Sequence, residues 1–345
     1  MSDLIVEVST IDEINPHSNA DRLDLAIVKG WQTVVPKDRF SAGDTVVYVP
    51  IDAVLPIELS DELGVTGYLN KQRVRAARLR GEMSFGFVFP PSDLEGYNGA
   101  LSCAEIGDDV AEVLNITKWE PPIRMTNTGK QTYEHPLLFR YTDIQNIKNF
   151  PDIFIEGEEV VVTEKIHGTN SRLAIIRDDK ELTYVAGSHK TQRDEDPDCL
   201  YWKPMNDKIR EMLMEIHRDH DASSVILYGE IFGQNIQDLT YGRQGIDYRA
   251  FDIKADGKYL DYEEFIYWCS LFSVPVVPVL YVGPFSKERL LALTVGDTTL
   301  EEGKHIREGI VVKAKEERLH PRLGRTILKS ISDDYLMRKN ATEFH

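Results

Sequence analysis

Long hydrophobic runs are missing from this sequence, and no apolar stretch is long enough to form a membrane-spanning helix. The N-terminal residues lack the basic and apolar segments of a secretory signal. Cysteine is scarce, since the chain has only Cys103, Cys199 and Cys269, and these lie far apart. Without a CxxC pair or an even set of cysteines, neither a zinc module nor a disulfide framework is expected. The sequence predicts a reduced, intracellular protein of the cytoplasm that does not associate with membranes.

Positive charge is also in short supply, because 57 acidic residues against 40 basic ones leave a formal charge of −17. Phosphate binding needs positive charge, so this balance excludes a protein that coats DNA non-specifically, although a local basic groove remains open. A hydrophobic content of 42% with 28% charged residues is typical of globular proteins and excludes a wholly disordered chain. The length of 345 residues exceeds what one hydrophobic core usually supports, so two domains are expected.

The chain divides at a polar, irregular stretch that contains paired prolines, at residues 121–135. Residues 1–120 before it contain short alternating segments, such as residues 45–50 and 85–89, separated by glycine, proline and aspartate clusters. This pattern predicts a small β-barrel or sandwich. Residues 136–345 after it mix strand-like runs with a predicted amphipathic helix at residues 203–217. We therefore expect a first domain at 1–120, a linker at 121–135 and a second domain at 136–345.

The second domain contains a strand-like run that ends in Lys165, with Gly168 three residues later. A glycine at this spacing lets the chain turn back, which would hold the lysine amine at a strand end facing a pocket. An amine is nucleophilic only when neutral, so such a site has to lower the pKa of the lysine. The alternative is a surface lysine beside a hairpin glycine. The KxxG pattern alone is weak, because Lys254 and Gly257 repeat it.

The order of the downstream elements decides between the two lysines. Glu230 follows a buried strand, Phe251 lies in the next one, Glu308 precedes a third and Lys329 ends a fourth. In this order they match the motif series of covalent nucleotidyltransferases, which include polynucleotide ligases and mRNA capping enzymes. With Lys254 as nucleophile the Glu230 element would come first and the series would break. Residues 256–257 are better explained as a hairpin turn.

A resemblance to a narrower family rests on residues 164–170, EKIHGTN. This string resembles the nucleophile motif of the RNA ligase 2 family, in which histidine replaces the aspartate usual in DNA ligases, and the resemblance covers most of residues 135–345. Residues 78–86, RLRGEMSFG, resemble tRNA-binding OB modules. An OB domain before such a catalytic domain is similar to the Deinococcus-type RNA ligase branch.

The resemblance implies an α+β fold, in which an N-terminal OB-like β-barrel precedes an adenylyltransferase domain of antiparallel sheets and helices, an ATP-grasp-like nucleotidyltransferase. It implies an ATP-dependent RNA ligase that seals 3′-hydroxyl to 5′-phosphate ends at nicks in RNA or RNA/DNA duplexes. AMP would pass from ATP to the lysine and then to the 5′-phosphate, before the 3′-hydroxyl attacks. We expect a monomer that uses ATP and Mg²⁺ or Mn²⁺. ATP is favoured over NAD because no cysteine-rich module is evident.

The resemblance also implies roles for individual residues. Lys165 would attack the α-phosphate, Glu230 would accept a hydrogen bond from the ribose, and Phe251 would stack on adenine. Glu308 would bind or orient the metal ion, since Mg²⁺ favours oxygen ligands. Lys329 would touch the α-phosphate and offset the charge that develops there.

The remaining members of the expected ATP site lie around the nucleophile and near the last motif. His167 and Asn170 would orient the pyrophosphate or the nicked end. The last motif often has the form KxK, but Ile331 stands in the place of the second lysine. The second phosphate contact would therefore come from Lys313 or Arg325. The further expected contacts of the cofactor are Glu164 and Gly168.

Residues 71–80 contain one lysine, four arginines and no acidic residue. Arg73 and Arg75 alternate with Val74, so on a strand both would point to one face. Together with Arg78 and Arg80 they predict a nucleic-acid track on the OB surface. The alternative is a solvated strand face in an acidic protein.

Two rival functions stay open from the sequence. The first is a DNA ligase or a capping-type guanylyltransferase, against which His167 and the domain order both count. The second is a non-catalytic RNA-binding protein that uses its OB domain. The presence of Lys165, Glu230 and Glu308 argues against this second reading.

Overall fold

A computed structural model describes residues 3–95, 97, 99, 101–120, 128–179, 181–300, 305–339 and 341–343. The chain forms two compact units. The first contains Met1–Pro122 and Leu336–His345, and the second contains Ile123–Tyr335.

The first unit consists of short antiparallel strands and a short helix, α1 (Ile57–Glu62). Its sheets have the strand orders β1-β5-β9, β2-β3-β4, β6-β10 and β7-β8. The strands of this unit are β1 (Glu7–Thr10), β2 (Glu13–Pro16), β3 (Leu23–Val28), β4 (Trp31–Pro36), β5 (Thr45–Val49), β6 (Ala53–Val54), β7 (Ala77–Leu79), β8 (Glu82–Ser84), β9 (Phe87–Phe89) and β10 (Thr117–Lys118).

The strands of the first unit form because apolar and polar residues alternate along them. In β4 the side chains of Trp31, Thr33 and Val35 are buried while their neighbours are partly or fully exposed. Phe85 N–H donates to the carbonyl of Gln32 at 2.8 Å and so joins the β8–β9 connection to β4. The two three-stranded sheets are therefore linked edge to edge, and the sheet of β1, β5 and β9 packs on an apolar cluster that includes Val8, Val47 and Phe89.

The last residues of the chain complete the first unit. Asp52, which is 1% exposed, accepts a hydrogen bond from the Thr342 hydroxyl at 2.7 Å and another from the Glu343 N–H at 3.0 Å. Arg73 donates to the carbonyl of Ala341 at 2.9 Å. This differs from the predicted boundary, which assigned residues 136–345 to one domain. A buried aspartate needs hydrogen-bond donors, and the C-terminal segment supplies two of them.

The second unit contains two larger sheets and most of the helices. Its described strands are β11 (Gln145–Asn146), β12 (Glu159–Lys165), β13 (Thr169–Asp178), β14 (Glu181–Ser188), β15 (Gln192–Arg193), β16 (Ser224–Gly233), β17 (Ile246–Ala255), β18 (Lys258–Tyr259), β19 (Val279–Pro284), β20 (Gly309–Ala314), β21 (Leu319–His320), β22 (Gly324–Arg325) and β23 (Ile327–Ile331). Its helices are α2 (Asp207–Asp219), α3 (Tyr262–Leu271), α4 (Lys287–Thr294) and α5 (Asp333–Leu336), and the last residue of α5 belongs to the first unit.

The two large sheets have the orders β11-β23-β20-β12-β19 and β15-β14-β13-β16-β17-β18. Every named pair is antiparallel except β11 with β23. One apolar cluster packs between the sheets and includes Ala174 and Tyr228 from the second sheet and Ile327 from the first. Helices α2 and α3 cover the outer face of the second sheet, and α4 packs on the first. Alternate residues of β12 therefore point either into the space between the sheets or away from it.

Two local predictions differ from the structure at element ends. The predicted helix at residues 203–217 begins later, as α2, because the side chain of Asn206 caps it by accepting from the Ile209 N–H at 3.1 Å. Residues 121–127 of the predicted linker lie outside the described residues. The rest of it is partly fixed in place, since Thr132 N–H donates to the carbonyl of Gln192 on β15 at 3.1 Å.

None of the described helices combines the length and the apolar character that crossing a membrane requires.

Candidate active site

The hairpin between β12 and β13 presents Lys165 at the end of its strand. The turn that follows lies close against β16. A Cβ atom on Gly168 would stand 2.3 Å from the carbonyl oxygen of Ile231 and 2.9 Å from Cγ of Glu230. Only glycine permits this approach, so the glycine of the motif brings the nucleophile turn next to Glu230.

Lys165 forms a short ion pair with Glu308. Its Nζ lies 2.6 Å from Oε1 of Glu308, and the two side chains are 14% and 0% exposed. The pair forms because β12 and β20 run antiparallel with Lys165 opposite Gly309, the residue after Glu308. The lysine amine is thus held in place by a buried carboxylate from a distant part of the sequence.

His167 connects the second oxygen of Glu308 to further groups. Its Nδ1 lies 3.2 Å from Oε2 of Glu308 and 3.2 Å from the hydroxyl of Tyr335, while its Nε2 lies 2.9 Å from Oδ1 of Asp238. Burial alone would lower the pKa of this imidazole. The hydrogen bonds to Asp238 and Glu308 together outweigh burial and raise the pKa above its usual value, which favours the charged form.

Glu230 lies beside this cluster on β16, opposite Asn170 on β13. Burial raises the pKa of the Glu230 carboxyl to about 8, Lys165 opposes that rise and Glu308 adds to it. Oδ1 of Asn170 is buried with no hydrogen-bond partner among the described residues. A protonated acid and an unsatisfied amide oxygen side by side are typical of a site completed by a ligand.

The structure differs from the sequence prediction for Glu164, which points to the opposite face of β12 from Lys165. Its buried carboxylate accepts hydrogen bonds from the N–H and the hydroxyl of Thr299, both at 2.8 Å, and from the hydroxyl of Thr298 at 2.5 Å. Adjacent residues of a strand point to opposite faces, so Glu164 cannot share a pocket with Lys165. Its role is to anchor the segment at residues 298–299.

Lys313 and Arg325 also lie away from Lys165. Both form ion pairs with the buried carboxylate of Asp252, and Nη1 of Arg325 is 2.9 Å from it. These two cations outweigh burial and hold the pKa of Asp252 below its usual value. On β20, Lys313 lies four residues after Gly309, the residue that pairs with Lys165. This spacing corresponds to about 13 Å along the strand. Both candidates for the predicted second phosphate contact therefore belong to a separate cluster of ion pairs around Asp252.

Lys329 lies on β23 of the first large sheet, and Phe251 lies on β17 of the second. Lys329 is 1% exposed and pairs with Val311, which in turn pairs with Thr163, two residues before Lys165. Phe251 is half-buried and packs edge-on against Tyr141, with ring centres 4.8 Å apart. Both residues lie in the same inter-sheet space as the Lys165 cluster.

Lys254, the other candidate nucleophile, lies outside the Lys165–Glu308 cluster. Its Nζ is 4.2 Å from the ring centre of Tyr259. Burial, aided by the charge of Arg325, lowers the pKa of this amine to about 8. Asp256 and Gly257 both have positive φ and form the tight turn between β17 and β18, as the sequence predicted.

The predicted nucleic-acid arginines in the first unit do not share one face. Arg73 is 8% exposed and is buried in an ion pair with Asp52, while its guanidinium lies 3.4 Å from the ring centre of Trp119. Arg75 donates to the carbonyl of Lys339. Arg78 and Arg80 are exposed on the β7–β8 hairpin. Arg73 does not alternate with Val74 along a strand, because residues 70–73 form a tight turn and the strand begins only at Ala77.

Asp238, Tyr241 and Tyr335 all contact His167 and were not predicted from the sequence. Asp238 and Tyr241 could have been suspected from the sequence only because they lie in a polar segment directly after the strand that contains Glu230. Within the described part of the chain, no group of three or more His, Cys, Asp or Glu side chains is arranged to hold a metal ion. A metal at Glu308 would therefore need additional oxygen ligands from a substrate or water, which is how Mg²⁺ is commonly bound.

A family model described as RNA ligase matches residues 158–331, and a model of an OB-fold domain matches residues 5–91. The first match spans half of the chain and includes Lys165, Glu230, Glu308 and Lys329. The chain therefore belongs to the RNA ligase family, with an OB-fold domain at its N-terminus. The expected α+β fold, with mostly antiparallel sheets, is confirmed.

Solved structures of a Naegleria gruberi RNA ligase resemble nearly the whole chain. A lysine-to-alanine variant with ATP and Mn is 28% identical, with a TM-score of 0.81, over 96% of this chain and 98% of that one. The same ligase with pyrophosphate is 28% identical, with a TM-score of 0.79, over 97% and 98% of the two chains. A glutamate-to-alanine variant with AMP and Mn has a TM-score of 0.79 at 28% identity over 96% and 98%. No curated protein sequence matches the chain.

Proposed function

We propose that this member of the RNA ligase family uses ATP to seal a 3′-hydroxyl to a 5′-phosphate, at nicks in RNA or RNA/DNA duplexes, through a lysyl-AMP intermediate. The observation that carries the proposal is the Lys165 amine, which lies 2.6 Å from the buried Glu308 and beside Glu230. Solved structures of the Naegleria ligase contain ATP, AMP and pyrophosphate, which are the nucleotide consumed and the two small products released in ATP-dependent ligation.

In the first step Lys165 Nζ, once deprotonated, attacks the α-phosphorus of ATP. A nitrogen–phosphorus bond forms, the bond to the bridging oxygen breaks, and pyrophosphate leaves. The AMP then passes to the RNA 5′-phosphate and restores the amine. Finally the 3′-hydroxyl attacks that phosphate and releases AMP. The ion pair with Glu308 supports this assignment because it pre-orients the amine at the strand end.

The other residues of the inter-sheet space would bind the nucleotide. Glu230 holds its proton in the ligand-free site, so it is able to donate as well as accept a hydrogen bond with the ribose. Phe251 offers an aromatic ring for adenine, and Asn170 offers an unsatisfied buried oxygen. Lys329 would neutralise charge at the α-phosphate. His167, which is held in place by Glu308 and Asp238, would orient the pyrophosphate.

A divalent cation, Mg²⁺ or Mn²⁺, would be held by Glu308 together with phosphate oxygens and water. The oxygen donors present fit such an ion, because Mg²⁺ typically takes one or two carboxylates plus substrate phosphates. When bound, it would neutralise charge on the phosphates and polarise the phosphoryl oxygens. Glu308 would then divide its two oxygens between the ion and its present partners.

In the first unit, the exposed Arg78 and Arg80 would grip the duplex, while Arg75 lies half-buried beside them. Arg73 is better explained as a structural ion pair. We assign residues 1–120 to RNA binding and residues 136–335 to nucleotidyl transfer, and we propose that the protein acts as a monomer. The C-terminal ten residues go with the RNA-binding unit.

The test is to incubate the protein with ATP or GTP labelled at the α-phosphate, together with Mg²⁺, and to measure the label on the denatured chain. We expect label from ATP alone. Lys165→Ala should abolish it, because this substitution removes the nucleophilic nitrogen. Lys254→Ala is the matched control, since it removes the other KxxG lysine and should leave the label unchanged.

Label from GTP would favour the capping-type alternative. The absence of label from both nucleotides in the wild-type protein would contradict the proposal and favour a non-catalytic RNA-binding protein. Label that persists in Lys165→Ala would overturn the assignment of the nucleophile. Sealing of a nicked RNA duplex, compared with a nicked DNA duplex, then tests the substrate class.

A further inference from the structure

The loop at residues 234–245, between β16 and β17, contacts the nucleophile turn at three points. Nε2 of Gln237 donates to the carbonyl of Gly168 at 3.3 Å. The hydroxyl of Tyr241 accepts from the His167 N–H at 2.6 Å. The carboxylate of Asp238 lies 2.9 Å from Nε2 of His167. Both the backbone and the side chain of the turn are therefore held by one loop.

This loop is itself fixed at its ends and in its middle. Gln234 N–H donates to the carbonyl of Gly245 at 2.9 Å and closes its base. The ring of Tyr241 is 2% exposed and lies edge-on to Phe232 at 5.2 Å between ring centres. A loop closed at its base and anchored by a buried aromatic ring is able to hold a side chain in one position.

The contact of Asp238 extends through His167 to the nucleophile. His167 is 2% exposed, and its other ring nitrogen lies 3.2 Å from Oε2 of Glu308. Oε1 of the same carboxylate lies 2.6 Å from Nζ of Lys165. A carboxylate that is held at one oxygen cannot rotate freely, so the orientation of Glu308 toward Lys165 depends on where the imidazole is held. The side chain of Asp238 is 26% exposed, and Asp238 is the outermost member of this chain of contacts.

We propose that Asp238 is a positioning residue for lysine adenylylation: by hydrogen bonding to His167, it holds Glu308 in the orientation in which one carboxylate oxygen faces the Lys165 amine. This inference rests on the proposed function, because it assigns Asp238 to the first step of that reaction. Asp238 acts through His167 and touches neither Lys165 nor Glu308 in the contacts that define this chain.

The experiment measures single-turnover adenylylation as a function of ATP concentration for three variants of the full chain. Asp238→Ala and Asp238→Leu both remove the hydrogen-bond acceptor, one leaving a gap and the other filling it. We expect the maximal rate to fall about tenfold or more, as is typical when a carboxylate that orients an active-site histidine is removed, while the half-saturating ATP concentration stays nearly constant. Asp238→Asn keeps an acceptor oxygen in the same place and should restore most of the rate.

Glu264→Ala is the matched control. It removes another carboxylate–histidine contact, in which Oε1 of Glu264 lies 2.8 Å from Nε2 of His220, from an exposed part of the same unit. The rate of this variant should equal that of the wild type. All rates are compared at a temperature well below the melting temperature of every variant, so that loss of folded protein does not contribute.

A double-mutant cycle tests whether Asp238 acts through the histidine. In a His167→Gln background, whose slow adenylylation is followed over long times, Asp238→Ala should reduce the rate no more than about twofold, because residues that share a contact are not additive. Equal losses in both backgrounds would overturn the inference.

Three further results separate this inference from the proposed function. If the wild-type protein takes label and the Asp238→Ala and Asp238→Leu variants take it at the same rate, the role of Asp238 is contradicted and the ligase assignment remains intact. A loss shared equally by the Asn, Ala and Leu variants would also contradict it, since the acceptor oxygen would then not matter. A wild-type protein that takes no label would contradict the proposed function itself.

Discussion

Two clusters of buried charge lie between the same two sheets of the second unit, and they differ in how completely they are balanced. Around Asp252, one carboxylate faces Lys313 and Arg325, and Arg325 also pairs with Glu317. The hydroxyl of Tyr141 donates to the same carboxylate. Every charge of this cluster faces an opposite charge, and the pKa of Asp252 is lowered accordingly.

Around Lys165 the cations cannot pair with every carboxyl group. The carboxyl groups of Glu230, Glu308 and Asp238 outnumber the cationic Lys165 and His167, and the charges balance only because Glu230, whose pKa is raised to about 8, keeps its proton near neutral pH. The comparison shows that burial of charge alone does not mark a functional site. A balanced cluster stabilises one packing of the two sheets, whereas an unbalanced one has groups left to bind a ligand.

The largest effect on stability is expected where the balanced cluster is broken. Asp252→Ala leaves Lys313 and Arg325 buried without their shared carboxylate, which should lower the free energy of unfolding by about 3–5 kcal/mol. Urea unfolding measures this loss. Asp221→Ala, which removes an exposed ion pair with Arg177, is the control and should cost less than about 1 kcal/mol. A stable Asp252→Ala protein without adenylylation would show that both clusters are functional.

The unbalanced cluster should respond in the opposite way. Glu308→Ala should slow lysine adenylylation about a hundredfold, or about 2.7 kcal/mol, because it removes the partner of Lys165 and the proposed metal ligand. Stability should change by less than about 1 kcal/mol, since Glu230 is then free to ionise beside Lys165. Rapid labelling and thermal unfolding measure the two quantities. A fall of many degrees in melting temperature with adenylylation retained would make Glu308 a structural residue.

The pH dependence of stability tests the proton on Glu230. Because the folded protein binds this proton more tightly than the unfolded chain, its stabilising contribution is complete below the usual pKa of 4.5 and is lost as pH rises toward about 8. Relative to wild type, Glu230→Gln should therefore gain about 1.4 kcal/mol of unfolding free energy per pH unit across that window. Urea unfolding over a pH series measures the gain. Parallel curves for the two proteins would show that Glu230 is ionised in the ligand-free site.

The smallest effect is expected in the first unit, because the residues to be changed there are exposed arginines and not members of a buried cluster. In the double variant Arg78→Ser, Arg80→Ser, the slope of log affinity for nicked RNA against log salt should fall by about one per arginine. Adenylylation should not change. Arg39→Ser, an exposed arginine of the same unit paired with Asp93, is the control. An unchanged slope in the double variant would make this hairpin a solvated face.

The sequence predicted those parts of the site that are encoded in short contiguous strings. Lys165, Gly168 and Asn170 lie in one hairpin, and Glu230 and Glu308 each adjoin a recognisable apolar strand. Their identity as a set followed from their order. The α+β fold with an N-terminal OB domain was predicted by the same resemblance.

Contacts between distant segments could not be predicted in this way. Asp238 has no neighbouring pattern that points to His167, and the pairing of Asp252 with Arg325 depends on the exact register of two sheets. Arg73 looked like a strand residue, but Lys71 and Gln72 adopt positive φ and turn the chain before the strand begins. Local periodicity gives the direction of a side chain only where the backbone is regular.

The hydrogen bonds from Thr342 and Glu343 to Asp52 have a consequence for synthesis of the chain. Translation proceeds from the N-terminus, so the first unit emerges from the ribosome long before the last residues that complete it. Until then Asp52 lacks two of its donors, and Arg73 lacks the carbonyl of Ala341. The first unit to be made is thus the last to be finished, because its final closure has to wait until residues 341–343 have left the ribosome.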